Sequence, residues 1–460
     1  MATEITQKPL YRALPVEQDV IFTLTNTGIV NSMFNVKFIA EVYISTANAG
    51  GQKFASTSVD NLVGTFKTTP NSAGVGIFDF SPVIATKVKA DNMSGVLSSY
   101  KGTVVNPGDT PFPIHIIDKF SSNVNSLSWM IIKFFVEGST TATGIPTIQT
   151  DQNEQSVSYE IFNGYLKYTD KLDIFEDNFG FKISTFYPDA NTKSLLTNAP
   201  TTQYANVVDY GTVAFLNPTA RVDNIKINYY NDAGSLGSDT VDTNIISSFI
   251  SDAQYRLLFF GCFPGNLNNW SSTFTTAVGL GLTYYTVRLF DNTGAAISKT
   301  YTININCPTL KGYEPIRLAW LNQWGAWDYY TFTLKSTKTT STQGSTFNQL
   351  EGTWNESAFR LDSYKGGKKT FRVNATEKIS MNTDYVNESE SEWFEELINS
   401  PEIYILDGYQ NDLTLAMLNT YVTPVRLTTS SYTKKTIAND KLMQYTFEVE
   451  KTKTLRTQAV

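Results

Sequence analysis

Residues 34–44 read FNVKFIAEVYI, and the alternation along this stretch indicates the fold class. Apolar side chains occupy every second position, at Phe34, Val36, Phe38, Ala40, Val42 and Ile44. The polar residues Asn35, Lys37 and Glu41 stand between them. Because successive side chains of a strand point to opposite faces of a sheet, this pattern predicts a strand with one buried face.

Short apolar runs of the same kind recur along the chain and are separated by turn residues. They lie at 76–80, 129–136, 212–216, 225–230, 284–290, 301–305, 423–427 and 445–450. Asn231–Gly234 and Asp291–Gly294 are typical hairpin turns, because Asn, Asp and Gly tolerate positive φ. We therefore predict a mainly β chain that is built of tandem Ig-like antiparallel β-sandwich domains.

The length of the chain predicts several domains, since 460 residues exceed what one hydrophobic core usually supports. A stretch rich in Gly, Thr and Pro, residues 138–146, is typical of a linker or an exposed loop. We place an N-terminal β-sandwich at 1–145 and a second β region, of one or two sandwich or barrel domains, at 150–310. Residues 315–460 then form a C-terminal α+β domain.

That C-terminal domain contains the one convincing helix, at 387–400. Asn387 is a suitable N-cap, and Glu390 follows three residues later as its capping-box partner. Apolar residues then recur at helical spacing, at Trp393, Phe394, Leu397 and Ile398.

Composition and charge exclude several function classes. The formal net charge is −7, so nothing in the overall balance attracts a nucleic acid or an anionic membrane surface. No run of about 18 apolar residues occurs, and the first residues lack the pattern of a secretory signal. We expect no direct nucleic-acid partner, no membrane insertion and synthesis in the cytoplasm.

Residues that commonly carry catalysis or bind metals are few. The single histidine is His115, which we interpret as a satisfied or solvent-edge histidine of a strand, and the two cysteines, Cys262 and Cys307, form no Cys-x-x-Cys pair. We interpret both cysteines as reduced thiols. We predict no catalytic residue, no cofactor and no metal site.

Paired carboxylates are the hardest catalytic option to exclude, because a glycosidase needs only two acids that the fold brings together. The candidates are Asp170, Asp173, Glu176 and Asp177, or Asp384 and Glu388. Their surroundings indicate loops and a helix N-terminus, where acids have ordinary structural roles. A glycan-degrading enzyme therefore stays a minor alternative.

An aromatic cluster stands out at residues 315–332, which read PIRLAWLNQWGAWDYYTF. It suits either the core of a hairpin whose corner lies near Asn322 and Gly325, or a platform that binds a sugar or another subunit. We take five of its residues as interface candidates: Trp320, Trp324, Trp327, Tyr329 and Tyr330.

Three stretches resemble uncharacterised virion proteins of tailed phages, especially those of Bacteroidetes hosts and marine environments. They are FIAEVYI at 38–44 with GIFDFSPVI at 76–84, RLAWLNQWGAWDYYTF at 317–332, and the segment from Thr383 to Tyr404 with Pro424-Val425 after it. The resemblance implies a structural role in a tail, baseplate or neck, in contact with other virion proteins. It implies no catalytic or metal-binding residue.

We therefore expect a non-catalytic virion component that is assembled in the host cytoplasm and joins copies of itself or neighbouring proteins through strand edges and aromatic patches. The main alternative is an adhesin on the same particle that binds a receptor or a host-surface glycan. An adhesin would expose Trp324, Trp327 and Tyr329, whereas a structural joint would bury them.

Overall fold

The computed structural model describes most of the chain, and these residues group into two compact units. The described residues are 3–46, 57, 59–90, 92–93, 99–100, 103–104, 113–121, 126–149, 153–167, 173–175, 178–217, 222–242, 257–305, 313–354, 356–406, 422–433 and 443–459. The first unit comprises Met1–Asn306 with Leu321–Asp328, and the second comprises Cys307–Trp320 with Tyr329–Val460. Both are mainly β, as predicted, and the described residues form several antiparallel sheets.

The described strands of the first unit are numbered along the chain. They are β1 Glu4–Gln7, β2 Ala13–Pro15, β3 Ile21–Thr25, β4 Phe34–Thr46, β5 Leu62–Thr68, β6 Val75–Asp79, β7 Ser99–Tyr100, β8 Thr103–Val104, β9 Phe120–Ser121, β10 Leu127–Ser139, β11 Thr147–Ile148, β12 Glu154–Gln155, β13 Tyr159–Phe162, β14 Asp173–Phe175, β15 Asn178–Gly180, β16 Thr202–Ala205, β17 Thr212–Leu216, β18 Asn224–Asn231, β19 Gly234–Asp242, β20 Leu257–Gly261, β21 Tyr284–Phe290 and β22 Tyr301–Ile305.

Its helices are short. They are α1 Thr27–Ser32, α2 Ser81–Ile84, α3 Pro264–Trp270 and α4 Ser272–Gly279, with 3-10 turns at Val59–Asn61, Ile114–Ile116 and Ile183–Thr185. The sequence pattern predicted neither α3 nor α4.

Two sheets at the N-terminal end share one hydrophobic core. One has the order β1-β3-β6, and the other has the order β2-β13-β10-β4-β5, with β11 and β12 also paired to β10. Phe22 of β3, Phe38 of β4 and Phe134 of β10 are fully buried in this core. The predicted alternation in 34–44 is confirmed in part. Phe38, Ala40 and Val42 are fully buried in the core, whereas Phe34 is 51% exposed, and Ile39 and Tyr43 on the other face are buried as well.

The predicted domain boundary at 145–150 falls inside this sheet. β10 ends at Ser139, and after a turn β11 pairs back onto it, with Glu137 opposite Ile148. β12 and β13 then extend the pairing along β10. The Gly/Thr/Pro-rich stretch is thus the loop of a hairpin. The sequence could not distinguish it from a linker, because hairpin loops and linkers have similar compositions.

Besides the strand pairs β14-β15 and β7-β8, the rest of the first unit contains two further sheets, of order β16-β22-β21-β18-β19 and β17-β20-β9. The second of these crosses the predicted boundary as well, since β9 at Phe120–Ser121 pairs with β20. Helix α4 packs on the larger sheet through Phe274, whose ring contacts those of Tyr229 and Tyr285. Two strand pairs, β2·β13 and β16·β22, are parallel, which departs from the all-antiparallel prediction.

The second unit is built on one large sheet and one helix. Its strands are β23 Ile316–Leu321, β24 Trp327–Phe332, β25 Ser336–Gln349, β26 Gly367–Asn382, β27 Ile403–Leu406, β28 Val422–Leu427, β29 Thr446–Lys451 and β30 Arg456–Ala459, and its helix is α5 Glu388–Asn399. The sheet has the order β24-β23-β27-β28-β29-β26-β25, and β30 also pairs with β26.

Helix α5 confirms the predicted helix and its capping box. The Asn387 side chain accepts a hydrogen bond from the Glu390 backbone N–H at 3.0 Å, and the Glu390 carboxylate accepts one from the Asn387 N–H at 2.8 Å. Trp393 and Phe394 face the sheet, where the Trp393 ring lies 4.9 Å from that of Trp320. At 12 residues, α5 is the longest helix in the described part of the chain, too short to cross a bilayer.

Candidate interaction site

The five aromatic residues that the sequence nominates as an interface lie in the interior of the chain. Trp320, Trp324, Trp327 and Tyr329 are 0–4% exposed, and Tyr330 is half-buried. Trp324 packs against Phe181 and Phe186 at 5.1 and 4.6 Å between ring centroids. The four buried side chains present no surface to a partner, because other residues of the same chain already cover them.

A tight turn at the end of this hairpin fixes the aromatic residues in place. The Asn322 side-chain oxygen accepts hydrogen bonds from the backbone N–H groups of Trp324 and Ala326, both at 3.0 Å. Its amide nitrogen donates to the Leu196 carbonyl at 3.0 Å and to the Asp328 carboxylate at 3.1 Å. Asn322 therefore ties the turn to a distant part of the same unit.

The same turn occurs at two other places, between β5 and β6 and after β21, where it is largely exposed. In Asn71–Val75 and Asp291–Ala295 the first side chain accepts from the N–H groups two and four residues later, as in Asn322–Ala326. The fourth residue is each time a glycine with positive φ, at 78°, 80° and 72° in Gly74, Gly294 and Gly325. Asx-x-x-Gly is thus a repeated local device of this chain.

One long hairpin, β25 with β26, has a largely exposed outer strand, and we call it the arm (residues 336–382). Its register runs from Ser336 opposite Met381 to Gln349 opposite Gly367. A length of about 44 Å follows from a rise of about 3.4 Å per residue. Residues 337–348 are all exposed, so neither face of β25 packs on the protein.

Apolar side chains collect at the far end of the arm, residues 345–372, which we call the arm tip. Seven large ones are 42–77% exposed: Phe347, Leu350, Trp354, Phe359, Leu361, Tyr364 and Phe371. The rings of Trp354 and Phe359 lie 5.2 Å apart. Contiguous exposed apolar surface of this kind marks a site of interaction in soluble proteins.

Hydrogen bonds within the loop hold the arm tip in shape. Thr353 is buried, its N–H donates to the Arg360 carbonyl at 3.2 Å, and its hydroxyl accepts from the Arg360 N–H at 2.8 Å. The hydroxyl itself donates to the Ala358 carbonyl at 3.0 Å. An ordered loop loses less conformational freedom on binding than a flexible one, which favours affinity.

The arm has a small excess of basic residues, several of them paired with acids, although the chain is acidic. Between residues 336 and 382 seven Lys and Arg stand against four Asp and Glu, whereas the whole chain carries −7. A hydrogen bond to Asp362 raises the pKa of Lys365, which keeps this amine charged. An open groove of about 420 Å³ lies where β30 joins the arm, and Phe371, Arg372 and Arg456 line it.

The arm was not predicted from the sequence. Residues 336–349 read STKTTSTQGSTFNQ and lack the period-two apolar pattern that reveals a half-buried strand. The available signals were the high β-propensity of Thr and the four aromatic residues between 354 and 371 in a polar, glycine-containing stretch. These four aromatic residues do not recur at helical or strand spacing, so their positions do not indicate a buried face.

Those residues considered for catalysis that the structure describes do not assemble into a site. His115 is fully buried in a 3-10 turn rather than a strand, with Nε2 3.1 Å from the Asn92 side-chain oxygen. Cys262 is buried, and Cys307 lies outside the described residues. No group of three His, Cys, Asp or Glu that could hold a metal ion occurs in the part of the chain that the structure describes.

Among the carboxylate candidates, Asp384 and Glu388 are exposed at the start of α5, where Glu388 occupies the first turn. This is an ordinary position for an acid, because it faces the positive end of the helix dipole. Asp170, Glu176 and Asp177 lie outside the described residues, and only the backbone of Asp173 is described.

Comparisons with known proteins give no relative. No protein-family profile matches the chain, and no curated protein matches it. Among solved structures, alpha-2-macroglobulin of E. coli in its native conformation is similar with a TM-score of 0.19 and 10% identity, covering 84% of this chain and 22% of that one. Dimeric latent PorU from Porphyromonas gingivalis has a TM-score of 0.16 and 9% identity, covering 83% and 32%. Scores this low carry no argument about fold or function.

Proposed function

We propose that this chain is a non-catalytic structural component of a tailed-phage virion, in the tail, baseplate or neck, and that it joins neighbouring subunits through the arm tip. The observation that carries the proposal is the set of seven exposed apolar side chains on an ordered loop at the end of the arm. Leaving such rings in water is unfavourable, and a partner that covers them recovers that free energy. The sequence resemblance to virion proteins supplies the kind of particle.

The geometry of the arm supports a joint rather than a catalytic role. The arm runs about 44 Å from its base, and β30 pairs with β26 only as far as Arg372, so the loop at the tip extends past that pairing. Aromatic and Arg residues at its end are the types that dominate binding energy at protein interfaces. The proposal places the protein in the virion, after assembly in the host cytoplasm, with other virion proteins as partners.

We also propose the finer fold assignment. The two N-terminal sheets that share one core are treated as an Ig-like β-sandwich, the remaining sheets of the first unit as a further sandwich or barrel, and the sheet with α5 as an α+β domain. The shared core of the first pair supports this assignment. The parallel pairs β2·β13 and β16·β22 are departures from an Ig-like pattern.

The adhesin alternative has one observation in its favour, which is the exposure of Trp354 and Tyr364 at 72% and 71%. Exposed aromatic rings also suit a sugar face, since the ring is apolar and rigid. In that case the arm tip would contact the host surface rather than another virion protein.

A triple serine variant of the arm tip separates the two functions. We expect Trp354→Ser with Phe359→Ser and Tyr364→Ser to lower the number of copies in purified particles by about tenfold or more, because each aromatic anchor contributes about 2 kcal/mol or more. The measurement is the mass-spectrometric copy number of the chain per particle, together with adsorption of the particles to host cells.

The control replaces three exposed aromatic residues outside the arm, Phe34, Tyr204 and Tyr313, by serine. It should enter particles like the wild type, since substitutions at such surface positions change stability by only about 0.5 kcal/mol. Normal incorporation of the arm-tip variant with lost adsorption would favour the adhesin. Normal incorporation with normal adsorption would overturn both proposals.

A further inference from the structure

Strand β25 forms one edge of the large sheet of the second unit. On one side it pairs with β26 along its whole length, and no other described strand pairs with its second side. Residues 337–348 are all exposed, so the described part of the chain leaves this edge open. In an antiparallel sheet alternate residues direct their N–H and C=O groups to the same side, so about seven residues of β25 offer both groups to a further strand.

This edge lacks the features by which proteins usually prevent strand edges from pairing with other chains. Such features are charged side chains, proline, bulges and a short length. Strand β25 has 14 residues and contains no proline. Its one charged side chain, Lys338, is paired with Glu314. The register shift of the hairpin places its extra residue, Phe371, on β26, so β25 itself has no bulge.

Another edge strand of this chain shows the protection that β25 lacks. The next longest edge strand among the described residues is β19, with nine residues. Its register against β18 leaves Leu236 as an extra residue on β19 itself, and Gly237 beside it has a φ of 138°. Asp239 and Asp242 add two negative charges. Strand β19 is therefore shorter, bulged and charged, whereas β25 is long, regular and nearly neutral.

A second copy of β25 is the strand that fits this edge. Pairing along the whole edge requires a strand of about 14 residues that has a free edge of its own. The other long strands among the described residues are β4, β10 and β26, with 13, 13 and 16 residues. Each of them is paired on both sides. Of the described strands, β25 alone combines this length with a free edge.

We propose that β25 of one copy pairs antiparallel with β25 of a second copy, about a two-fold axis perpendicular to the sheet at the middle of the strand. Such an axis places facing residues on the same face of the sheet, so it passes through Thr342 or Gln343. This contact uses a surface other than the arm tip, so it goes beyond the proposed function. A two-fold contact is closed, and its product is a dimer.

The side chains of β25 are compatible with self-pairing. Apart from Lys338, Gly344 and Phe347, the strand consists of Ser, Thr, Gln and Asn, and hydroxyl side chains hydrogen-bond well across antiparallel strands. The two copies of Lys338 lie roughly 27 Å or more apart along the strands, which is well beyond the Debye length of about 8 Å. Like charges therefore do not oppose the pairing.

The number of hydrogen bonds is sufficient for a specific contact. Two strands of this length form about 12 interchain hydrogen bonds, two for each hydrogen-bonded pair of residues. A typical protein interface contains about 10. The pairing also joins the large sheets of the two copies into one continuous sheet.

Two lysines on the edge test the pairing in the full-length protein. Thr340→Lys with Thr342→Lys places four ammonium groups around the two-fold axis, where like charges directly opposite each other disfavour pairing. We expect the dissociation constant of the dimer to rise about tenfold or more, measured from molar mass by light scattering across protein concentration. The matched control, Ser238→Lys with Thr240→Lys, adds the same charges at exposed positions of β19 and should associate like the wild type.

Single cysteines locate the contact. Facing residues of an antiparallel pair have Cα atoms about 4.5–5.5 Å apart, within the range of a disulfide. Under mild oxidation we therefore expect a disulfide-linked dimer from Thr342→Cys or Gln343→Cys, whichever lies on the axis. Thr337→Cys and Asn348→Cys are equally exposed controls whose mates lie roughly 34 Å away or more, so they should stay monomeric. The wild type under the same oxidation gives the background of the native cysteines.

A concentration-dependent dimer that the β25 lysines weaken, with cross-linking confined to the middle of the strand, is the expected result. A wild type that is monomeric at every concentration would overturn the pairing, and so would cross-linking at Thr337 and Asn348 as efficient as at the centre. The arm-tip serine variant leaves β25 unchanged and should still form the dimer. Failure of this pairing and failure of the arm-tip joint are thus seen separately.

Discussion

Replacing Asn322 by alanine is expected to lower the free energy of unfolding of the first unit by about 3–5 kcal/mol, since a buried polar group left unpaired costs about 1–3 kcal/mol. Asn322 is 3% exposed and its side chain makes hydrogen bonds to four groups, at Leu196, Trp324, Ala326 and Asp328. Alanine provides none of them. Urea denaturation followed by tryptophan fluorescence measures the change.

Asn71→Ala is the matched control for this prediction. The Asn71 side chain accepts from the N–H groups of Ala73 and Val75 in the same turn geometry, at 2.9 and 3.0 Å, but on the surface. Water can replace these bonds, so we expect a loss of about 1 kcal/mol or less. Equal losses for Asn322 and Asn71 would show that the buried connection to Leu196 contributes nothing to stability.

Gly325→Ala is expected to be at least as damaging, by about 4 kcal/mol or more, because two effects coincide. Gly325 has a φ of 72°, which costs a residue with a Cβ about 1–2 kcal/mol. A Cβ at this position would also lie 2.2 Å from the Asn163 carbonyl oxygen, well inside contact distance. The backbone of Asn163 or the whole turn must then shift.

Gly294→Ala separates these two effects. Gly294 occupies the same place in the same turn, with a φ of 80°, and a Cβ added there would meet none of the described residues within 4 Å. We expect it to lose only the conformational cost of about 1–2 kcal/mol. Melting temperatures of the two variants give the comparison, and a Gly325 variant no less stable than the Gly294 variant would contradict the close packing of this turn.

Elements with strong local patterns were predictable from sequence. Strands β17, β21 and β22 occupy the predicted residues 212–216, 284–290 and 301–305, and α5 follows its capping box. Periodicity and capping act over a few residues, so one sequence contains the whole signal. The helices α3 and α4 show the limit, because their cues, Pro264 at the first turn and Ser271 as an N-cap, stand in a region that otherwise alternates with strands.

The functional surface was harder to predict, for a physical reason. The stretch 320–330 and the arm tip have similar aromatic contents, and only the fold decides which of the two sets is buried. Trp324 is covered by Phe181 and Phe186, far away in sequence, and such long-range contacts leave no local trace. None of the described residues covers the arm tip in this way, so its seven apolar side chains stay exposed.

Photo-cross-linking from the arm tip tests the proposed joint most directly. A benzoyl-phenylalanine in place of Trp354 keeps an aromatic ring at an exposed position, and the same residue at Tyr204 is the control. In assembled particles we predict cross-links from position 354 to another protein subunit. Cross-links from position 354 only within its own chain, or none above the Tyr204 control, would contradict the assembly function of the arm.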